Sequence, residues 1–185
     1  MVRKNAKILI EQALIKLLTE LPLDKIDVQD VAEAAGLSRQ TFYYNFKNKQ
    51  DLLCWILEED IAAASDAFRK NDRLQDYISA FLTIAQEKSV FYRAIAASDS
   101  RRRSYTAYFE NGLLACAQTV ENRSSLGRMS ASLWDSLHFF TYGASGVMQN
   151  WVENGMQQTP EQLSESIVRN TPQPVERYFR SSAEH

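Results

Sequence analysis

The stretch VAEAAGLSRQTFYYNF, Val31 to Phe46, holds two helix signals separated by a break. Val28, Val31, Ala32 and Ala35 fall on one face of a short helix, with Asp27 as its N-cap and Asp30 favourable near the positive end. Gly36 can take the left-handed conformation that ends a helix, and Leu37 can close over the break. Ser38 is the next N-cap, opening a second short helix on Arg39 to Phe46. Phe42 and Phe46, four apart, face inward, while Arg39 with Tyr43 and Gln40 with Tyr44 form rows turned progressively outward. Two short amphipathic helices joined at a glycine make a helix-turn-helix. The same pattern also fits a plain surface hairpin whose tyrosines cover core.

Helical spacing continues in both directions. Upstream, Ala6, Ile10, Ala13, Leu14, Leu17 and Leu21 form a stripe that stops at Pro22, before a loop carrying Leu23 and Ile26. Downstream, Asn48 caps a helix with the stripe Leu53, Ile56, Leu57, Ile61, Ala64 and Phe68. Leu74, Tyr77, Ile78, Phe81, Leu82 and Ala85 mark the next, and a short segment follows from Ser89 to Ala97. A polar break, Ser98 to Ser104, precedes a helix marked by Tyr105, Tyr108, Phe109, Gly112, Leu113, Cys116 and Val120. After a second break, Ser124 to Gly127, Leu133, Leu137, Phe140, Ala144, Val147 and Trp151 repeat with heptad spacing. Thr159-Pro-Glu-Gln162 combines an N-cap, a proline in the first turn and a capping-box glutamine. Leu163 and Ile167 carry that helix to a stop at Pro172 and Pro174. The expected fold is all-α with about nine helices and no strands.

Composition agrees. Glycine (6) and proline (4) are scarce in 185 residues, and neither occurs between Gly36 and Gly112. Turn-rich β-structure needs them. Cys54 and Cys116 lie within helical stripes without CxxC spacing or a histidine cluster, so they read as reduced core thiols and no metal site is expected. Glu11 interrupts the N-terminus before an apolar signal segment forms, and the apolar window Leu133 to Val152 contains Asp135, His138, Gln149 and Asn150. A soluble cytoplasmic protein without a membrane span is expected. No Ser/His/Asp grouping, phosphate-binding glycine loop or close carboxylate pair is legible, so neither an enzyme nor a cofactor is expected.

Charge is uneven along the chain. The formal net charge is −2, yet Arg3, Lys4, Lys7, Lys16, Lys25, Arg39, Lys47 and Lys49 outnumber the acidic residues of the first 50. The positive end joined to an acidic body suits a polyanion partner at that end alone. Arg39, Gln40, Thr41, Tyr43 and Tyr44 supply the groups that duplex recognition uses: a guanidinium fork for guanine, an amide for adenine, hydroxyls for phosphate oxygens. Lys47 and Lys49 follow where a flanking phosphate would lie.

AEAAGLSRQTFYYNFKNKQDLL closely resembles the helix-turn-helix signature of the TetR/AcrR family of bacterial transcription regulators. The family pattern is met at Ala32, Gly36, Ser38, Thr41, Phe42, Tyr43, Phe46 and Lys49, over about the first 60 residues. The resemblance implies a DNA-binding domain over residues 1–60 and a helical ligand-binding and dimerisation domain over 61–185. It further implies a homodimer on a double-stranded, pseudo-palindromic operator and a small-molecule effector. Carried over by position, Arg39, Gln40 and Thr41 match residues that reach bases or nearby phosphates. Tyr43 matches a phosphate contact, Tyr44 and Asn45 adjoining groove contacts, and Lys49 a phosphate-binding lysine. The family commonly has Ser or Thr where this chain has Asp27, so Asp27 is assigned to capping and Val28 to packing. RQTFYYNFKNKQDLLCWILEED, with Tyr142-Gly-x-x-Gly146 and Trp151-Val-Glu-Asn-Gly155, resembles the branch of dihydroxyacetone kinase regulators, with which activation and a protein co-regulator are associated.

Three further expectations concern the C-terminal part. Tyr105, Tyr108, Phe109, Trp134, His138 and Tyr142 are candidates to line a ligand pocket, or else plain core. Leu137, Phe140, Gly143, Ala144, Val147 and Trp151, with Leu163 and Ile167, are candidates for the dimer interface. Arg101-Arg102-Arg103 is either a second anion site or a solvated loop. The competing function class is a helical protein-interaction module that does not bind DNA.

Overall fold

The computed structural model describes the backbone of residues 2–71, 73–98, 102–123 and 128–183. Among these residues the chain is helical throughout: α1 (Val2–Leu17), α2 (Val28–Ala34), α3 (Arg39–Asn45), α4 (Lys49–Asn71), α5 (Leu74–Glu87), α6 (Ser89–Ala96), α7 (Arg102–Arg123), α8 (Ala131–Glu153), α9 (Pro160–Arg169) and α10 (Gln173–Ala183). A single 3-10 turn, Leu23–Lys25, stands between α1 and α2.

The first three helices owe their ends to local chemistry. Asp27 accepts from the Asp30 N–H at 3.0 Å, and the Asp30 carboxylate accepts from the Asp27 N–H at 2.7 Å, a reciprocal capping box. At the other end of α2, Gly36 has φ +67°, with Leu37 N–H bonded to the Ala32 carbonyl and Gly36 N–H to that of Glu33. That is the Schellman arrangement, which a side chain at Gly36 would strain. The Ser38 hydroxyl then caps α3 by accepting from the Thr41 N–H at 3.1 Å. Ile10, Ala13, Leu14, Leu23, Ile26, Val31, Ala32, Phe42 and Phe46 are buried together with Leu52 and Leu53 of α4. Leu21, expected in the α1 stripe, is exposed because α1 ends at Leu17 and the chain turns there.

The expected α5 stripe is buried at every position, and Tyr77, Phe81 and Phe109 pack as rings 5.0–6.2 Å apart. Gly112 makes this possible. A Cβ there would stand 1.8 Å from the Tyr77 hydroxyl oxygen. Thr159 and Gln162 form the expected capping box at α9, with Pro160 in the first turn. α10 departs from the expected stop. Pro174 lies in its first turn, where a missing N–H costs nothing. Val175, Tyr178 and Phe179 are buried, and Phe179 meets Phe68 edge-on at 6.0 Å.

α4 is one continuous helix, so the expected boundary between residues 60 and 61 falls inside it. Near its start Trp55 meets Phe46 and Lys7, and the helix packs against α5 and α7. At mid-length Asp60 is buried. Lys88 donates to Asp60 and to Glu11 of α1, each at 2.6 Å, and the Tyr92 hydroxyl donates to Asp60 at 3.1 Å. Burial pushes the Asp60 carboxyl up despite Lys88 and Tyr92. Desolvation works against the Lys88 ammonium, but its hydrogen bonds to the two carboxylates hold it above the usual lysine range. At the far end of α6, Ser98 donates to Asp24 at 3.3 Å. α6 is thus tied to the first helices at both ends.

Candidate nucleic-acid interface

α3 buries Phe42 and turns Arg39, Gln40, Tyr43 and Tyr44 to solvent. The exposed rings are large, 49% for Tyr43 and 69% for Tyr44. The Arg39 guanidinium lies 6.0 Å from the centre of the Tyr43 ring, and Tyr43 beside it raises the Arg39 pKa. The outward face therefore offers a fixed cation, an amide and two phenol hydroxyls on one short helix, the donor set that reads base edges and phosphates. Asp27 is held below its usual range, chiefly by the Asp30 N–H, as suits a cap. Val28 is partly buried against the core.

Three expected contact residues are placed differently. Thr41 is half-buried, with its hydroxyl 2.9 Å from that of Ser38. Asn45 donates to the Thr41 carbonyl at 2.8 Å and its side-chain oxygen is buried without a partner, so the amide runs back along α3 and not outward. Lys49 donates to the carbonyl of Leu23 at 2.7 Å and to that of Ile26. Its ammonium ties α4 to the turn before α2. Lys47 is the exposed lysine at this corner, held in place by its N–H on the Asp51 carboxylate at 2.8 Å.

The expected ligand residues occupy different environments. Phe109 is part of the filled aromatic core, and Tyr108 lies by the Cys54 thiol of α4. Trp134, His138 and Tyr142 stack along α8, with centroids 5.7 and 6.2 Å apart. Arg101 and the side chains of Arg102, Arg103 and Tyr105 lie outside the described residues. The expected dimer residues divide between the interior of the subunit and its surface. Leu137, Phe140, Ala144, Trp151, Leu163 and Ile167 are already buried within the subunit, because α8 uses its heptad stripe to cover the core. Its outward face carries Phe139, Tyr142, Gly143, Gly146 and Val147. An apolar groove of about 300 Å³ separates this face from α9; Phe140, Ala144 and Ile167 also line it, beside Phe139, Gly143 and Val147.

Residues 10–54 match the family of bacterial regulatory proteins of the tetR type, and residues 72–173 match a transcriptional regulator C-terminal region of the same family. The chain belongs to the TetR family. Among curated TetR-family relatives, the dhaKLM operon transcriptional activator DhaS of Lactococcus lactis is 33% identical over 75 residues, 40% of each chain. The transcriptional regulator EthR of Mycobacterium tuberculosis is 40% identical over 53 residues, 29% of this chain and 24% of EthR. These matches span well under half of either relative. In fold the likeness extends further. The solved structure of the dihydroxyacetone kinase operon activator DhaS superposes with TM-score 0.70 at 24% identity, over 89% of this chain and 92% of that one. A TetR-family regulator from Streptomyces coelicolor gives 0.65 at 15% identity, over 98% and 89%. No described helix is long and apolar enough to cross a membrane.

Proposed function

We propose that this TetR-family regulator binds a pseudo-palindromic operator as a cytoplasmic homodimer, and that an effector modulates it. Residues 1–60 form the DNA-binding unit and residues 61–185 the regulatory and dimerising body. The observation that carries the reading is the outward face of α3, where Arg39, Gln40, Tyr43 and Tyr44 stand exposed over the buried Phe42. Arg39 and Gln40 read bases; the tyrosine hydroxyls and Lys47 meet phosphates. The effector is a small molecule or a co-regulator protein. Tyr77, Phe81 and Phe109 fill the centre of the body, so a small molecule must displace a side chain to enter there. The likeness to the operon activator DhaS makes the genes flanking this one the first place to seek the operator.

An electrophoretic shift with the DNA upstream of the protein's own gene, at two salt concentrations, tests this. Operator binding should survive at a salt concentration that abolishes binding to random duplex, since non-specific affinity is almost wholly electrostatic. Equal loss on both duplexes would favour the interaction-module reading.

A further inference from the structure

Lys7 belongs to the basic N-terminal end, where a lysine reads as one more phosphate contact. The structure gives it another neighbour set. Its ammonium lies 5.0 Å from the centre of the Phe46 ring and 4.9 Å from that of Trp55, and the two rings are themselves 5.5 Å apart. Lys7 is half-buried, so its stem packs while its charge lies over two aromatic faces within cation–π distance. Phe46 is the C-cap of α3, and Trp55 belongs to α4. From Phe46 the rings continue to Phe42 at 5.8 Å and to Tyr43 at a further 5.8 Å, whose ring carries the Arg39 guanidinium. A cation on α1 and a cation on α3 thus bracket one run of four packed rings.

We infer that Lys7 is a positioning residue for operator recognition: its ammonium on Phe46 and Trp55 fixes the C-terminal end of α3 against α1 and α4, and so the angle at which Arg39 and Gln40 are presented. The inference rests on the DNA-binding reading above. It separates Lys7 from Lys47, a cation left to the solvent and so available to phosphate. Base readout tolerates little misplacement, because bidentate contacts need fixed geometry. Non-specific binding depends on charge alone and tolerates a tilted helix.

The test is fluorescence anisotropy of the full chain on operator and on random duplex across a salt series, with Lys7→Met, Lys7→Gln, Lys7→Arg and Lys47→Ala. Lys7→Met should weaken operator binding by about two- to thirty-fold, the range of a cation–π contact. Its log–log salt slope and its affinity for random duplex should stay at wild-type values. Lys7→Arg, which also stacks on aromatic faces, should restore operator affinity. Lys47→Ala should lower the slope by about one per subunit on both duplexes. Should Lys7→Met fail to give a cooperative thermal transition, Lys7→Gln, which keeps a polar tip without the charge, decides in its place. A slope reduced by about one per subunit in Lys7→Met or Lys7→Gln would make Lys7 a phosphate contact and overturn the inference. So would an equal loss on both duplexes, or no loss at all. Absence of operator preference in the wild type would remove the DNA-binding reading, and this inference with it.

Discussion

Arg39 and Lys49 are both cations of the helix-turn-helix, ten positions apart, and their surroundings differ. Arg39 is exposed beside Tyr43, while the Lys49 ammonium donates to the carbonyls of Leu23 and Ile26. Arg39→Ala and Gln40→Ala should each cut operator affinity by about 5- to 150-fold and leave random-duplex affinity nearly unchanged, the span of one good base contact. Lys49→Ala should lower the thermal midpoint and reduce binding to both duplexes together, because two part-buried carbonyls lose their donor. Anisotropy paired with thermal melts separates the three. A Lys49→Ala protein with an unchanged midpoint and a shallower salt slope would return Lys49 to the phosphate. The outward row of Arg39, Gln40, Tyr43 and Tyr44 was legible because helix periodicity alone sets it. Lys49 was not, since its partners lie 26 and 23 residues earlier and reach it only through the fold. Nor was Asn45, whose amide chose its own helix's carbonyl four residues back.

Element ends followed the same division. The capping boxes at Asp27 and Thr159, the Ser38 cap and the Gly36 break are set by neighbours within a few residues, and each could be read from spacing. α10 could not, because Pro172 and Pro174 stop one helix and start the next with the same chemistry. The tie between α1, α4 and α6 at Glu11, Asp60 and Lys88 joins residues up to 77 positions apart and left no local trace. It has a measurable consequence. Burial raises the Asp60 pKa above the unfolded value of 3.8, so the folded state holds that proton more tightly than the unfolded chain. The stability this group contributes is therefore fully present below about pH 4 and is lost as pH rises through its folded pKa. Measured by thermal or urea unfolding, wild type should gain on Asp60→Asn as pH falls from neutrality toward 4. If it instead loses ground, attraction to Lys88 outweighs burial and the Asp60 pKa is depressed. Lys88→Met is the complement. It leaves two carboxylates facing each other without a cation, and should cost at or below the low end of the about 3–5 kcal/mol typical of breaking a buried pair, since Lys88 keeps some contact with water.

For the whole molecule, one recognition helix covers too few base pairs for specific binding, so two must be held about a helical turn or more apart. On the homodimer reading proposed above, the body supplies that spacing through a two-fold contact. Heptad spacing on α8 correctly marked a strongly apolar helix, yet periodicity cannot say which neighbour covers a stripe. Leu137, Phe140, Ala144 and Trp151 cover the subunit's own core. What remains for a partner is the opposite face, with Phe139 80% exposed, Tyr142 62% and Val147 44%. A Cβ added at Gly143 or Gly146 would meet nothing within 4 Å, so both glycines open the surface to a second helix. The apolar groove between α8 and α9, about 300 Å³, is wide enough to take the Phe139 ring of a second copy. Sedimentation equilibrium at micromolar concentration should give about twice the 21.2 kDa chain mass. Val147→Glu places a charge in the groove wall, and Gly143→Leu fills the approach, so both should shift the protein to monomers with unchanged helical circular dichroism and lost operator binding. Leu163→Ala, at a buried α9 position, should instead lower stability by about 2–5 kcal/mol, while the protein that remains folded stays dimeric. A wild-type mass near that of one chain would refute the two-fold contact. A dimer that survives both Val147→Glu and Gly143→Leu would move the contact to another face.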